Sequence, residues 1–125
     1  MTDNKTFLFE ERDDTVIITP QINLGEMEYS RIETDGKAVL EQFSASDAKH
    51  VVVNLEKTDF LGSSALGFLV RVWNRCRSIG GHMAFFNVSA HQKTILDLTR
   101  LDTLWSMCDT QEAAIAAVHE ADGNS

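Results

Sequence analysis

The sequence predicts an α/β fold, a single domain with a mixed sheet of four to five strands, an N-terminal hairpin and about four helices. Three observations carry that prediction. "FLFEE" and "TVIITPQI" are short, strand-like and separated by the polar turn Arg12-Asp13-Asp14, the pattern of a hairpin. Beyond them, apolar runs of strand length alternate with segments of helical period. Finally, 125 residues at 43% hydrophobic and 24% charged content suffice for one core and not for two.

Each element has its own local reason. Pro20 lacks an N–H and suits the end of the second strand. "INLGE" reads as a loop. From Glu26, the residues Tyr29, Ile32, Val39, Leu40 and Phe43 recur at helical spacing, which predicts an amphipathic helix to about Phe43. Gly36 inside it costs about 1 kcal/mol relative to alanine. The polar linker "SASDAK" leads to "HVVVNL", a β-branched run that reads as a buried strand. A second helix is expected from Ser64 to about Ser78, stopped by Gly80-Gly81. "HMAFFNV" is a further buried strand, and Ser89 caps a helix from about Ala90 to Thr99. "LWSMC" is a last short strand, and Thr110 caps a final helix over "TQEAAIAAVHEA" before a fraying "DGNS". No internal repeat interrupts the pattern.

Composition excludes several classes of function. A net charge of -8 disfavours nucleic acid as a partner. No apolar run approaches the ~20 residues needed to cross a bilayer, and "MTDNKTFLFEERDD" lacks the order of a signal peptide. A cytoplasmic protein without membrane insertion is expected. Cys76 and Cys108 form no CxxC pair and read as small residues in or near the core. His50, His82, His91 and His119 have no metal-ligand spacing, so neither a metal nor a cofactor is expected. The charge is uneven: residues 63–100 carry Arg71, Arg75, Arg77, Lys93 and Arg100 against Asp97, while both flanks are acidic.

That basic zone follows a pair of serines in "TDFLGSSALGF", at a strand-to-helix turn where α/β folds gather functional groups. On a helical wheel with Ser63 at 0°, Leu66, Leu69, Trp73 and Cys76 fall between about 220° and 300°, the expected buried stripe. Ser64, Arg71, Arg75 and Phe68 fall between about 80° and 140°, an expected solvent-facing stripe. If Ser63 is the N-cap, its oxygen is engaged and Ser64 keeps a free hydroxyl. "GSSAL" departs from a GxSxG nucleophile elbow at Leu66 and no base stands beside it, so no catalytic residue is assigned. A phosphate on Ser64 suits the physics better. It would meet unpaired backbone N–H groups at a helix start and add about -1.5 to -2 charges to the surface. The same two serines also fit a loop end and a helix cap with no further role.

The stretch "HVVVNLEKTDFLGSSALGFLVRVWNRCRSIGGHMAFFNVSAHQKTILDLTRLDTLW" resembles the STAS domains of bacterial anti-sigma factor antagonists. Their pattern is a strand ending in "DLS", then "DSSGLG", a helix, "GG", a strand and "LxxxGLxxLF". This chain supplies "NLE", "GSSALG", "GG", "MAFFNV" and "LDLTRLDTLW" in that order. The resemblance spans roughly residues 7–118 of a single domain over 1–125. It implies the STAS fold and a non-enzymatic switch. In that family an anti-sigma factor that is also a serine kinase phosphorylates the second serine. The bare form binds the kinase and frees a sigma factor, and a serine phosphatase resets the switch. The matching phosphoacceptor is Ser64, with Ser63 as cap or alternative acceptor. The chain departs from the family at Gly62, which stands where the aspartate precedes the serines, at Ala65, and at Asn23, where a "GELD" loop carries an acid.

The expected partner surface comprises Asn23, Asp59, Gly62, Phe68, Arg71 and Arg75 around Ser64. The alternative is a phosphorylation-independent STAS interaction subunit, for instance of a phospholipid-transport complex, which the missing aspartate favours.

Overall fold

The computed structural model describes residues 6–24, 29–59 and 61–123. Five strands form one sheet in chain order: β1 (Phe7–Arg12), β2 (Thr15–Pro20), β3 (His50–Asn54), β4 (Met83–Phe86) and β5 (Ser106–Cys108). β1 and β2 are the expected antiparallel hairpin, turning at Asp13, which takes a left-handed φ of 54°. All later pairings are parallel, with Val16 beside Val51, Val51 beside Met83 and Ala84 beside Ser106.

Four helices connect and cover the strands: α1 (Tyr29–Ala45), α2 (Ser63–Ser78), α3 (Ala90–Leu98) and α4 (Gln111–Gly123). The first helix ends two residues later than its periodicity suggests, and its expected start at 26–28 lies outside the described residues. Tyr29, one of the apolar residues at helical spacing, is 52% exposed at the first position of the helix.

Strand alternation divides the sheet between two cores. Val16, Ile18, Val51, Val53 and Phe85 point to the main core with Ile32, Val39, Phe43, Phe68 and Leu69 of α1 and α2. Ile17, Val52, Ala84 and Phe86 point to the other face, where α4 lays Ala114 and Val118 on them. β3 is therefore buried on both faces, which is why it reads as an unbroken run of valines.

Two glycines are dictated by close approach. A Cβ on Gly36 would lie 2.7 Å from Phe68 Cδ1, so this glycine lets the Phe68 ring enter the α1–α2 interface. A Cβ on Gly81 would lie 1.6 Å from the Lys49 carbonyl oxygen, against which the chain turns from α2 into β4. Ser89 is a helix cap as expected, and the cap is a reciprocal box: its hydroxyl accepts from the Gln92 N–H while the Gln92 side chain accepts from the Ser89 N–H. Thr110 likewise accepts from the Ala113 N–H at 3.1 Å. Among the described residues, no helix is long and apolar enough to cross a membrane.

Candidate functional site

Gly62, not Ser63, is the N-cap of α2. Its backbone is extended (φ -84°, ψ 176°) and its carbonyl accepts the first helical bond from the Leu66 N–H at 3.0 Å. Ser63 and Ser64 are thus the first and second residues of the helix, and no side chain caps it. The expectation that Ser63 is the cap is corrected: the helix starts one residue earlier, with Gly62 in the extended cap conformation and its carbonyl taking the first helical bond. The N–H groups of Ser63, Ser64 and Ala65 then lack intrahelical acceptors, and the first turn carries no acidic residue to offset the positive end of the helix dipole. Ser63 is exposed and Ser64 half-buried beside it.

A buried polar chain fixes where this helix start sits. The Gly62 N–H donates to the Leu24 carbonyl at 2.8 Å, and Leu24 pairs with Leu61 in a one-residue parallel bridge. The Leu24 N–H donates to Thr58 Oγ1 at 3.0 Å, and the Thr58 hydroxyl donates to Asn23 Oδ1 at 3.0 Å. Asn23 Oδ1 also accepts from the Asp59 N–H at 3.3 Å. Behind them, Gln92 Nε2 donates to the Thr58 carbonyl at 2.9 Å. The loops after β2 and β3 and the first turn of α3 are thus tied together at the start of α2.

Of the residues expected around Ser64, the structure joins Asn23 and Asp59 through this network and places Gly62 at its end. Arg71 is exposed on α2 and lies 3.9 Å from Glu33 of α1. Arg75 is half-buried, its Nε enclosed with no hydrogen-bond partner among the described residues. Phe68 does not belong to the surface: it is 1% exposed and its ring lies 4.7 Å from that of Phe7. The buried stripe of α2 is Ala65, Phe68, Leu69, Val72 and Cys76, turned by about 65° from the expected one. The cause is α1, which covers α2 on a second side, so Phe68 fills the space above Gly36 while Leu66 and Trp73 are only half-buried. Sequence reasoning missed Thr58 and Gln92. The spacing Ser89-x-x-Gln92 is a capping-box signature and flags Gln92, whereas nothing local marks Thr58.

The histidines are not scattered in space. At the other end of the sheet, where β2 and β3 begin, the ring of His50 lies 5.7 Å from that of His82 and 5.2 Å from that of His119, and Asp14 joins them. The donor chemistry argues against a metal centre here. His50 Nδ1 accepts the His82 N–H at 3.0 Å, so the neutral ring carries its proton on Nε2, the atom that faces the cluster.

With this geometry in view, likeness to known proteins becomes specific. The sequence model of the STAS domain matches residues 7–114. The chain belongs to the STAS domain family. Among solved structures, a Thermotoga maritima protein assigned as an anti-sigma factor antagonist superposes with a TM-score of 0.79 at 25% identity, over 90% of this chain and 94% of that one. An anti-sigma-factor antagonist (STAS) domain protein from Planctomyces limnophilus gives 0.76 at 25% identity, over 90% and 97%. SpoIIAA in its unphosphorylated form, an anti-sigma factor antagonist, shares the fold with a TM-score of 0.64 at 21% identity, over 90% and 97%. The five-stranded mixed sheet and four helices are the STAS fold, as the sequence resemblance implied.

Proposed function

We propose that this STAS domain is a phosphorylation-switched anti-sigma factor antagonist. Bare Ser64 belongs to the surface that binds a serine-kinase anti-sigma factor. A phosphate on Ser64 ends that binding, and a serine phosphatase restores it. The observation that carries the reading is the uncapped start of α2. Ser64 is its second residue, next to amides with no intrahelical acceptor, so a phosphate is received there without unfolding the helix. SpoIIAA, a fold relative, is described in both phosphorylated and unphosphorylated forms, which fits such a role. Asn23, Asp59, Gly62, Arg71 and Arg75 complete the binding surface, and Phe68 acts only by packing. The switch works in the cytoplasm, by binding and not by catalysis.

One observation favours a second reading, a constitutive STAS interaction subunit of another complex such as a phospholipid transporter: Gly62 stands where the family carries its aspartate. Wild-type, Ser64→Ala and Ser64→Asp chains used as baits in lysates of the native cells separate the two, combined with phosphopeptide mapping. The switch requires phosphate on Ser64 that varies with growth condition, capture of the kinase by Ser64→Ala and its loss with Ser64→Asp. Equal capture by both variants, with Ser64 unmodified throughout, selects the constitutive subunit.

A further inference from the structure

The second helix–sheet interface ends in a titratable contact far from Ser64. His119 of α4 places Nδ1 2.9 Å from its own helix's Ile115 carbonyl and Nε2 2.8 Å from Asp14 Oδ1 in the β1–β2 turn. Both partners are pure acceptors, so both ring nitrogens must donate, and only the imidazolium satisfies this geometry. A neutral ring aims one lone pair at an oxygen and loses one of the two bonds.

The surroundings single out His119 as the group that titrates. Its hydrogen bond to Asp14 holds its pKa above the ordinary value; burial opposes this, and the Asp14 charge, the hydrogen bond to the Ile115 carbonyl and the Asp122 charge add to it. Burial works against the Asp14 charge, but hydrogen bonds from His119 and Thr15 outweigh it and keep the carboxyl below its usual range. His50, at the start of β3, is fully enclosed, and burial lowers its pKa although Asp14 and Asp122 oppose this. A proton on its Nδ1 would also collide with the His82 N–H of the α2–β4 loop. Lys49 pairs with Asp122 at 3.0 Å, and this hydrogen bond lowers the Asp122 pKa, so the Asp122 carboxylate stays ionised.

We propose that protonated His119 is a clip that fastens the C-terminal half of α4 to the hairpin turn through Asp14, releasing as pH rises through the neutral range. α4 is the cover of the sheet's second face, which it meets through buried Ala114 and Val118 with half-buried Ile115 and Ala117 beside them. The His119–Asp14 contact adds a polar tie just beyond that apolar patch. Residues 101–125 contain no Lys or Arg, so His119 is also the one side chain there that can bring positive charge to the negative end of this helix. The sign follows from linkage. A pKa raised in the closed state makes the clip fully effective below about pH 6.5 and spends it as pH passes the raised value.

The experiment is NMR on the full chain: a ring-nitrogen titration of His119, and amide exchange along residues 111–123 from about pH 6 to about pH 8.5, corrected for intrinsic exchange. The expected result is a His119 midpoint above that of a model histidine and a rise of about two- to fivefold in the α4 opening constant, the range of an exposed ion pair. His119→Gln and Asp14→Asn should each flatten that rise. A midpoint at or below the model value, or an unchanged pH profile in both variants, overturns the clip. So does α4 protection that appears only with added Zn2+ and disappears with a chelator, since a metal would then occupy the place of the proton.

Discussion

The Gln92 side chain joins the start of α3 to the loop that carries the serine pair: its Nε2 donates to the Thr58 carbonyl at 2.9 Å, and its Oε1 accepts from the Ser89 N–H at 2.9 Å. Gln92 and Thr58 are both buried, so neither group has water as an alternative. Gln92→Ala takes the donor from the buried Thr58 carbonyl and the acceptor from the half-buried Ser89 N–H. The expected outcome is a loss of about 1–3 kcal/mol in unfolding free energy, read by chemical denaturation, with faster amide exchange around Gly62. Gln92→Glu keeps the acceptor for Ser89 but turns a carboxylate toward a carbonyl, and should be worse than Gln92→Ala.

Phe68 and Gly36 form one packing unit, which makes opposite expectations testable. A surface Phe68 would tolerate truncation. Enclosed against Phe7, it should cost about 3–5 kcal/mol as Phe68→Ala, read by chemical denaturation. Gly36→Ala gains about 1 kcal/mol of helix propensity yet brings its Cβ to 2.7 Å from the ring. The clash should win and the variant should be less stable than wild type. Because the two residues touch, Phe68→Leu should lose less in the Gly36→Ala background than alone.

The start of α2 yields a prediction about capping. Ser63 makes no capping bond, so Ser63→Ala should change stability by less than about 0.5 kcal/mol. Gly62→Asp restores a side-chain acceptor at the cap and a negative charge at the positive helix end. It should stabilise by a few tenths to about 1 kcal/mol, read as an upward shift in Tm. A loss near 1 kcal/mol in Ser63→Ala would mean that Ser63 caps in solution after all.

Legibility in the sequence tracked how local each cause is. The hairpin at Asp13-Asp14, the buried valines of β3, the stop at Gly80-Gly81 and the caps Ser89 and Thr110 are each decided within a few residues, and all were readable. The orientation of α2 was not, because it depends on α1 covering its second side and on Gly36 admitting Phe68. The pair Ser63-Ser64 was visible, but the frame that holds it joins Asn23 and Thr58 of two loops to Gln92 of α3, which no spacing rule connects. The histidine cluster was hidden for the same reason: Asp14 and His119 meet across 105 positions of chain.

Cys76 offers a direct readout of global opening. Its Sγ lies 3.1 Å from the Lys49 carbonyl and 3.2 Å from the His82 carbonyl, so the thiol hydrogen is held between two acceptors that would repel a thiolate. Burial pushes its pKa up to about 12. At about pH 8 the thiolate fraction in the folded state is then on the order of 1 in 10,000, against roughly a quarter for an ordinary thiol. Cys108 is less enclosed, and its pKa is raised by burial and by the neighbouring Asp109 charge. A thiol reagent should therefore label Cys108 first and reach Cys76 at the rate of unfolding. Adding denaturant should accelerate the slow phase in step with the unfolding rate, and Gly81→Ala should accelerate it without denaturant, since its Cβ invades the Lys49 carbonyl. Equal labelling rates for both thiols in the native protein would show that the turn between α2 and β4 opens locally, and that the close approach at Gly81 is not held in solution.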